Sequence, residues 1–207
     1  MMMKKILAVC FVFISAFAFA QEKPDALKMY VEGNYAQAIK VCESEIAATP
    51  NRIDSYVVLC WALVANKQYS VAEQRASDGL AIGPNDLRLV ESLGEAKYYL
   101  GKNKEALALF ERYIAGISDS ASRVGVAFYY MGEIYIRQAK YQHADISLTA
   151  TVQKEPLLDR WWARLGYARE MAKNNVLAMA AYDKALELNP SQHDALAGKR
   201  RIEKNTR

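Results

Sequence analysis

A 34-residue period runs through this chain, and few architectures accept one. Pro50 and Pro84 are 34 residues apart, as are Pro156 and Pro190, Tyr35 and Tyr69, and Gly132 and Gly166. Ala38, Ala72 and Ala106 continue the period, and Ala144 and Ala178 resume it after a four-residue slip. The slip falls at Gly116-Ile117-Ser118-Asp119-Ser120, a polar stretch that reads as a longer inter-repeat loop. Within each period apolar residues recur at steps of three and four, as in Tyr56, Leu59, Cys60, Leu63 or Phe128, Met131, Gly132, Tyr135. That spacing predicts helices and not strands. Each unit is expected to be two helices with a turn near Gly33, Lys67, Gly101, Ala139 or Lys173. In most units a proline, which cannot continue the second helix, closes the period.

The phase of the small residues is the second constraint. One slot in the first helix holds Ala26, Cys60, Gly94, Gly132 and Gly166; one in the second holds Ala38, Ala72, Ala106, Ala144 and Ala178. Antiparallel helices approach closely only where facing side chains are small. A glycine inside a helix costs roughly 0.5–1 kcal/mol relative to alanine, so three of them at one slot imply a contact that offsets the loss.

These residues resemble the tetratricopeptide repeat family, whose unit is a 34-residue helix–turn–helix. Tyr56-Leu59-Cys60, Val90-Leu93-Gly94, Phe128-Met131-Gly132 and Trp162-Leu165-Gly166 match its first-helix pattern. Ala72, Ala106, Ala144 and Ala178 open the second, with Phe110, Leu148 and Tyr182 at its aromatic slot and Ala76 there in repeat two. The run Ala185-Leu186-Glu187-Leu188-Asn189-Pro190 is similar to the family ending. The first repeat departs from the pattern, with Asp25 where leucine is usual and Glu45 at a small position; the third has Ser118 for proline and Tyr113 for a small residue. The resemblance implies an all-α, right-handed solenoid of five repeats over residues 21–190, with residues 191–207 as a capping helix and tail. His193 to Asn205 supplies that helix, Ala195, Leu196 and Ala197 being its apolar contribution. Terminal units need a polar outer face, which Lys199, Arg200, Arg201, Glu203 and Lys204 provide.

The first twenty residues read as an address. Met1–Lys5 is short and positive, Ile6–Phe17 is apolar apart from Ser15, and Ala18-Phe19-Ala20 has small residues where a signal peptidase reads. The expectation is a signal peptide over 1–20 and an exported, periplasmic mature chain without an integral membrane span. The apolar run is shorter than the ~20 residues a spanning helix needs, and Val9 before Cys10 does not fit a lipid-attachment box. Lys4 and Lys5 are the only charges there, so residues 21–207 keep 25 basic and 23 acidic side chains, an excess of +2. Phosphate neutralisation requires a far larger basic excess, which excludes a dedicated nucleic-acid binder.

Nothing points to catalysis or a cofactor. The two histidines, His143 and His193, fall in separate units, and there is no HExxH, CxxC, phosphate-cradling glycine loop or GxSxG elbow. Cys42 and Cys60 sit at core slots of adjacent helices. They are two buried thiols filling small apolar sites, or, in an oxidising compartment, a disulfide stapling the first repeat; a metal site of two thiols lacks further ligands.

In the resemblance, function lies on the concave face lined by the first helices. The family's groove positions correspond here to Asp54, Val57, Trp61 and Val64 in repeat two and to Arg88, Glu91, Glu95, Tyr98 and Tyr99 in repeat three. Repeat four places Tyr129, Glu133, Ile136 and Arg137 there; repeat five and the cap add Arg160, Tyr167, Glu170 and Arg201. Some members clamp a C-terminal carboxylate with lysine and asparagine. The corresponding places hold Lys23, Leu27, Val57, Trp61, Glu91 and Glu95, so that clamp is not assembled. The expected function is a non-enzymatic adaptor binding a protein or peptide segment in the groove. Trp61, Tyr129 and Tyr167 would serve as anchors, and Glu91, Glu95, Glu133 and Arg160 would orient the segment. The alternative is a structural subunit of an envelope or motility assembly that associates through its edges or convex face.

Overall fold

The computed structural model describes residues 25–118 and 122–205. The signal-peptide reading of residues 1–20 and the centre of the inter-repeat insertion lie outside these. The described chain forms eleven helices: α1 (Ala26–Val31), α2 (Tyr35–Ala48), α3 (Ile53–Ala65), α4 (Tyr69–Ile82), α5 (Leu87–Tyr99), α6 (Asn103–Gly116), α7 (Val124–Arg137), α8 (Tyr141–Lys154), α9 (Asp159–Met171), α10 (Asn175–Leu188) and α11 (His193–Asn205). They pair as five helix–turn–helix units and a final single helix, an all-α solenoid as the period requires.

The turns fall where the period puts them. Gly33, Lys67, Gly101, Ala139 and Lys173 all adopt positive φ, from 56° to 80°. Each closes its helix in the same way. The Gly33 N–H donates to the Tyr30 carbonyl and the Asn34 N–H to that of Met29, and the pattern recurs at the other four turns. This double bond satisfies the last carbonyls of the first helix and reverses the chain. A non-glycine residue in this region costs roughly 1–2 kcal/mol. Lys67, Ala139 and Lys173 accept that cost because the helices on either side dictate the reversal.

The ten small residues are all buried. What fills the space beside the glycines is the bulky second-helix residue sixteen positions on. A Cβ on Gly94 would lie 2.9 Å from the Phe110 ring, one on Gly132 2.6 Å from Leu148 Cγ, and one on Gly166 2.5 Å from the Tyr182 ring. Phe110, Leu148 and Tyr182 are fully buried in consequence. Repeats one and two keep the register with smaller pairs, Ala26 with Cys42 and Cys60 with Ala76, all buried. The cysteines are therefore packing residues. Both are buried free thiols and no bridge joins them; the Cys60 S–H points to the Ala72 carbonyl at 3.9 Å. Burial pushes the Cys42 thiol up to about 12 and that of Cys60 higher still, which keeps both in the thiol form.

The odd-numbered helices touch their successors, α7 meeting α9 through the Tyr129–Trp161 stack and the Arg164–Glu133 pair, while the even-numbered ones do not pair to the same extent, so α1, α3, α5, α7 and α9 form the inner wall. The insertion leaves its mark between repeats three and four, where α6 and α7 touch least among consecutive helices. Tyr113, unusual at a small position, fills the widened gap and packs with Val124, Ala127 and Tyr130. At the far end α11 buries Ala195, Gly198 and Ile202 against α9 and α10. Leu196 and Ala197, assigned to that face from the sequence, are only half-buried. At the near end α1 has six residues where α3, α5 and α9 have thirteen.

The Gly132–Leu148 contact yields a test. Gly132→Leu should cost about 1–3 kcal/mol through overpacking, and Leu148→Ala about 2–5 kcal/mol through the cavity it leaves. If the two side chains share one space, urea denaturation of the double variant will show a loss well below the sum of the single losses.

Candidate functional site

The inner wall carries a ladder of ion pairs. From repeat two onward, an arginine of each following unit reaches back to an acid on the preceding first helix. Arg88 Nη1 donates to Asp54 Oδ1 at 2.8 Å. Arg123 grips Glu91 with Nε and Nη2 at 2.9 and 2.7 Å, and Nη2 also reaches Glu95 at 2.7 Å. Arg164 holds Glu133 at 2.6 and 2.9 Å, and Arg201 holds Glu170 at 2.7 Å through both nitrogens. Side-on pairs of this kind fix both distance and orientation. They tie neighbouring helices together along the face the sequence assigns to a partner.

The rung across the insertion is buried. Glu91 is 1% exposed and Glu95 9%. Arg123 comes from the residue just before α7 and replaces the contact that α6 and α7 lack. Two carboxylates share this one guanidinium, and the Tyr130 hydroxyl donates to Glu95 Oε1 at 2.6 Å. Burial pushes the Glu91 carboxyl above the usual carboxylate range, Arg123 opposing the rise and Glu95 adding to it. Against its own burial, Arg123 is held firmly protonated by Glu91 and Glu95. The Tyr130 phenol is driven far above its usual range by burial and by Glu95. At the last rung, Arg201 and the Tyr182 hydroxyl hold Glu170 below the usual carboxylate range, outweighing its burial.

Several residues assigned to the groove are therefore not open to a partner. Val57, Glu91, Glu95 and Tyr98 are buried. Glu91, Glu95, Glu133 and Glu170 are each bound by an inter-repeat arginine, as is Asp54. Arg137 is exposed but its guanidinium carbon sits over the Tyr98 ring, 4.0 Å from its centre, and it donates to the Tyr98 carbonyl and Asn103. Ile136 packs with the core around Trp161, and Val64 with the core of repeats one and two. Lys23, one of the clamp positions, lies outside the described residues.

What stays accessible is mostly aromatic. Trp61 is half-buried, its ring 5.9 Å from that of Tyr30 and capped by the Arg123 guanidinium at 5.9 Å. Its indole Nε1 is the one buried side-chain polar atom without a hydrogen-bond partner among the described residues. Tyr99 is exposed, stacked on Tyr69 at 4.4 Å, with its hydroxyl 3.1 Å from that of Tyr130. Tyr129 stacks on Trp161 at 5.5 Å, and Tyr167 lies under Arg164 at 5.2 Å; both remain partly exposed. Arg88 and Arg160 are exposed at the rim. Two of the hollows on this face lie beside these rings. One of about 210 Å³ is bounded by Tyr30, Trp61, Tyr69, Tyr99 and Arg123. The other, of about 290 Å³, lies between α9 and α11 beside Arg164, Tyr167 and Arg201.

The sequence reading missed Arg123, Arg164 and Tyr130. A signal for the arginines exists, since each lies 28 to 34 residues after the acids it binds. Among the described residues no cluster of His, Cys, Asp or Glu could hold a metal, and no helix is long and apolar enough to cross a membrane.

The rungs differ in depth, and their variants should differ accordingly. Arg123→Ala leaves two buried carboxylates uncompensated and should destabilise the fold by about 3–5 kcal/mol. Arg88→Ala, at an exposed pair, should cost about 0–1 kcal/mol. Denaturant midpoints of the two variants measured side by side check the contrast.

No family model matches the sequence, and no curated protein does. The fold does have counterparts among solved structures. The crystal structure of YrrB, described as a TPR protein with an unusual peptide-binding site, superposes with a TM-score of 0.66 at 18% identity, over 84% of this chain and 88% of that one. A crystal structure of MamA gives 0.67 at 19% identity, over 82% and 96% of the two chains. MamA from Desulfovibrio magneticus RS-1 gives 0.67 at 18%, over 81% and 93%. The eleven helices thus share the tetratricopeptide solenoid fold with these proteins.

Proposed function

We propose that the protein is a non-enzymatic adaptor that holds a segment of a partner protein along its inner wall. The observation that carries this reading is the division of labour on that wall. The charges are consumed by inter-repeat pairs, while Trp61, Tyr99, Tyr129 and Tyr167 keep ring surface exposed between them. Half-exposed aromatics backed by a rigid, neutralised scaffold are the usual anchors of protein interfaces. The peptide-binding site of the similarly folded YrrB is in keeping with this. The layout of residues 1–20 supports an exported protein, with its partner in the periplasm.

Compared with the sequence reading, the anchors stay and the orienting charges change. Arg160 remains exposed, whereas Arg88 is held by Asp54 and Asp86, and Glu91, Glu95 and Glu133 act on the partner only by shaping the wall. A structural subunit associating through its edges would leave the aromatic wall empty and would self-associate in solution.

The test is an affinity capture from periplasmic extract, wild type beside the Trp61→Ala and Tyr167→Ala variants. Each substitution should weaken retention of the captured protein by more than about 1 kcal/mol, with helix content unchanged. Equal retention by both variants would remove the aromatic wall from the interface.

A further inference from the structure

The rungs at Arg164 and Arg201 each set one arginine against one acid of the preceding repeat. Arg88 is shared by Asp54 and Asp86, but at the surface, where water screens the extra charge. The rung across the insertion has no such outlet. Glu91 and Glu95, both buried, share the single guanidinium of Arg123.

Among the described residues, the helices packed on α5 bring no second cation into this cluster. Arg123, just before α7, is joined by Tyr130, whose hydroxyl donates to Glu95 and lies 3.1 Å from that of Tyr99 on α5. From α6 the Tyr113 phenol faces Glu91, from α1 the Tyr30 phenol faces both acids, and from α4 the Tyr69 phenol faces Glu95. Burial raises all three phenols and the acids add to the rise. On its side α3 presents Trp61, Val64 and Ala65, and Lys67 at the rim of the same hollow is exposed. With both carboxylates ionised, the cluster would hold one unmatched negative charge out of water. Two acids on one countercharge avoid this by keeping a proton that a solvated glutamate would release. The Glu91 carboxyl, pushed upward by burial, against Arg123 and with Glu95, is in keeping with that count.

The cluster also lies at a weak seam. Of the consecutive helices α6 and α7 touch least, which makes Arg123 a principal tie between repeats three and four. We propose that this joint is a proton-operated latch: Glu91 and Glu95 together hold one proton in the folded chain, and its release to solvent loosens the seam between repeats three and four. The charge so uncovered stays on the acid pair. It reaches the wall through two contacts, the Arg123 guanidinium over the Trp61 ring and the Tyr130 hydroxyl beside that of Tyr99. The latch is a property of the free chain and stands whether or not the wall holds a partner.

The native state binds this proton where the unfolded chain, with its glutamates in water, has released it. Stability therefore falls as pH rises through the cluster's titration. Glu73, Asp86, Asp159 and Glu170, whose bonds outweigh burial and hold them below the usual carboxylate range, stay ionised there and add nothing to the slope. The test is urea denaturation of the full chain in steps from about pH 5 to about pH 9, wild type beside Glu91→Gln. Relative to that variant, the wild-type folding constant should fall by up to about tenfold per pH unit. The comparison cancels the two exposed histidines, His143 and His193. Glu133→Gln, in a one-to-one rung, should keep the wild-type slope. Glu95→Gln, which also leaves one carboxylate to Arg123, replaces Glu91→Gln should that variant not fold. Over the same range hydrogen exchange, corrected for intrinsic rates, should show α7 losing protection while α10 keeps it. Parallel slopes for wild type and the glutamine variant, or equal loss of protection in α7 and α10, overturn the proposal.

Discussion

The structure depends on a fit between two side chains sixteen residues apart. In each repeat a small residue on the first helix leaves a recess, and a residue on the second fills it: Gly94 with Phe110, Gly132 with Leu148, Gly166 with Tyr182. The glycines are unfavourable for the helix that carries them, and the aromatic or leucine would be unburied without them. Neither choice makes sense alone. Together they set the distance between the helices of each pair and give the next pair a surface to stack on. Where the recess is shallower, as at Cys60, the filling residue shrinks to Ala76, so the total volume is more nearly constant than either side chain.

Much of this is legible in the sequence because it is periodic. The turns at Gly33, Lys67, Gly101, Ala139 and Lys173, the ten small slots and the closing helix His193–Asn205 all follow from one spacing. The functional wall was legible only in part. Register says which positions face inward, and Trp61, Tyr129 and Tyr167 do. It does not say which inward charges already have partners. Glu91 and Glu95 look like free acids at helical spacing because the arginine that binds them, Arg123, lies just before α7, on no position of the repeat pattern. Arg164 escaped notice for a different reason. It occupies a place in repeat five whose counterparts elsewhere are not arginine, so no repeat pattern marks it. Tyr98 and Val57 failed as groove residues because each is buried in a core cluster, Val57 with the first repeats and Tyr98 around Phe110 and Tyr130.

The insertion between repeats three and four shows how such an array tolerates an irregularity. Four extra residues loosen the contact of α6 with α7. The gap is closed by bulk, through Tyr113, and by charge, through Arg123 between two carboxylates. The same change gives the wall its most deeply buried polar cluster directly behind Trp61 and Tyr99, so the residues that hold the two halves of the solenoid together also form the floor of its most aromatic stretch. The two ends differ among the described residues: α11 presents a charged outer face at one, while α1 has Leu27 and Val31 exposed at the other.

The central claim is that matched volumes at the sixteen-residue register build each repeat, and repeat two offers the cleanest trial of it. Thermal denaturation of the Cys60→Gly, Ala76→Leu double variant converts that repeat to the pair used by repeat four. The account predicts that the double variant melts close to the wild type while each single variant melts lower. A double variant destabilised by the sum of the two single losses would show that the two positions do not share a space, and would contradict the packing on which the solenoid is built.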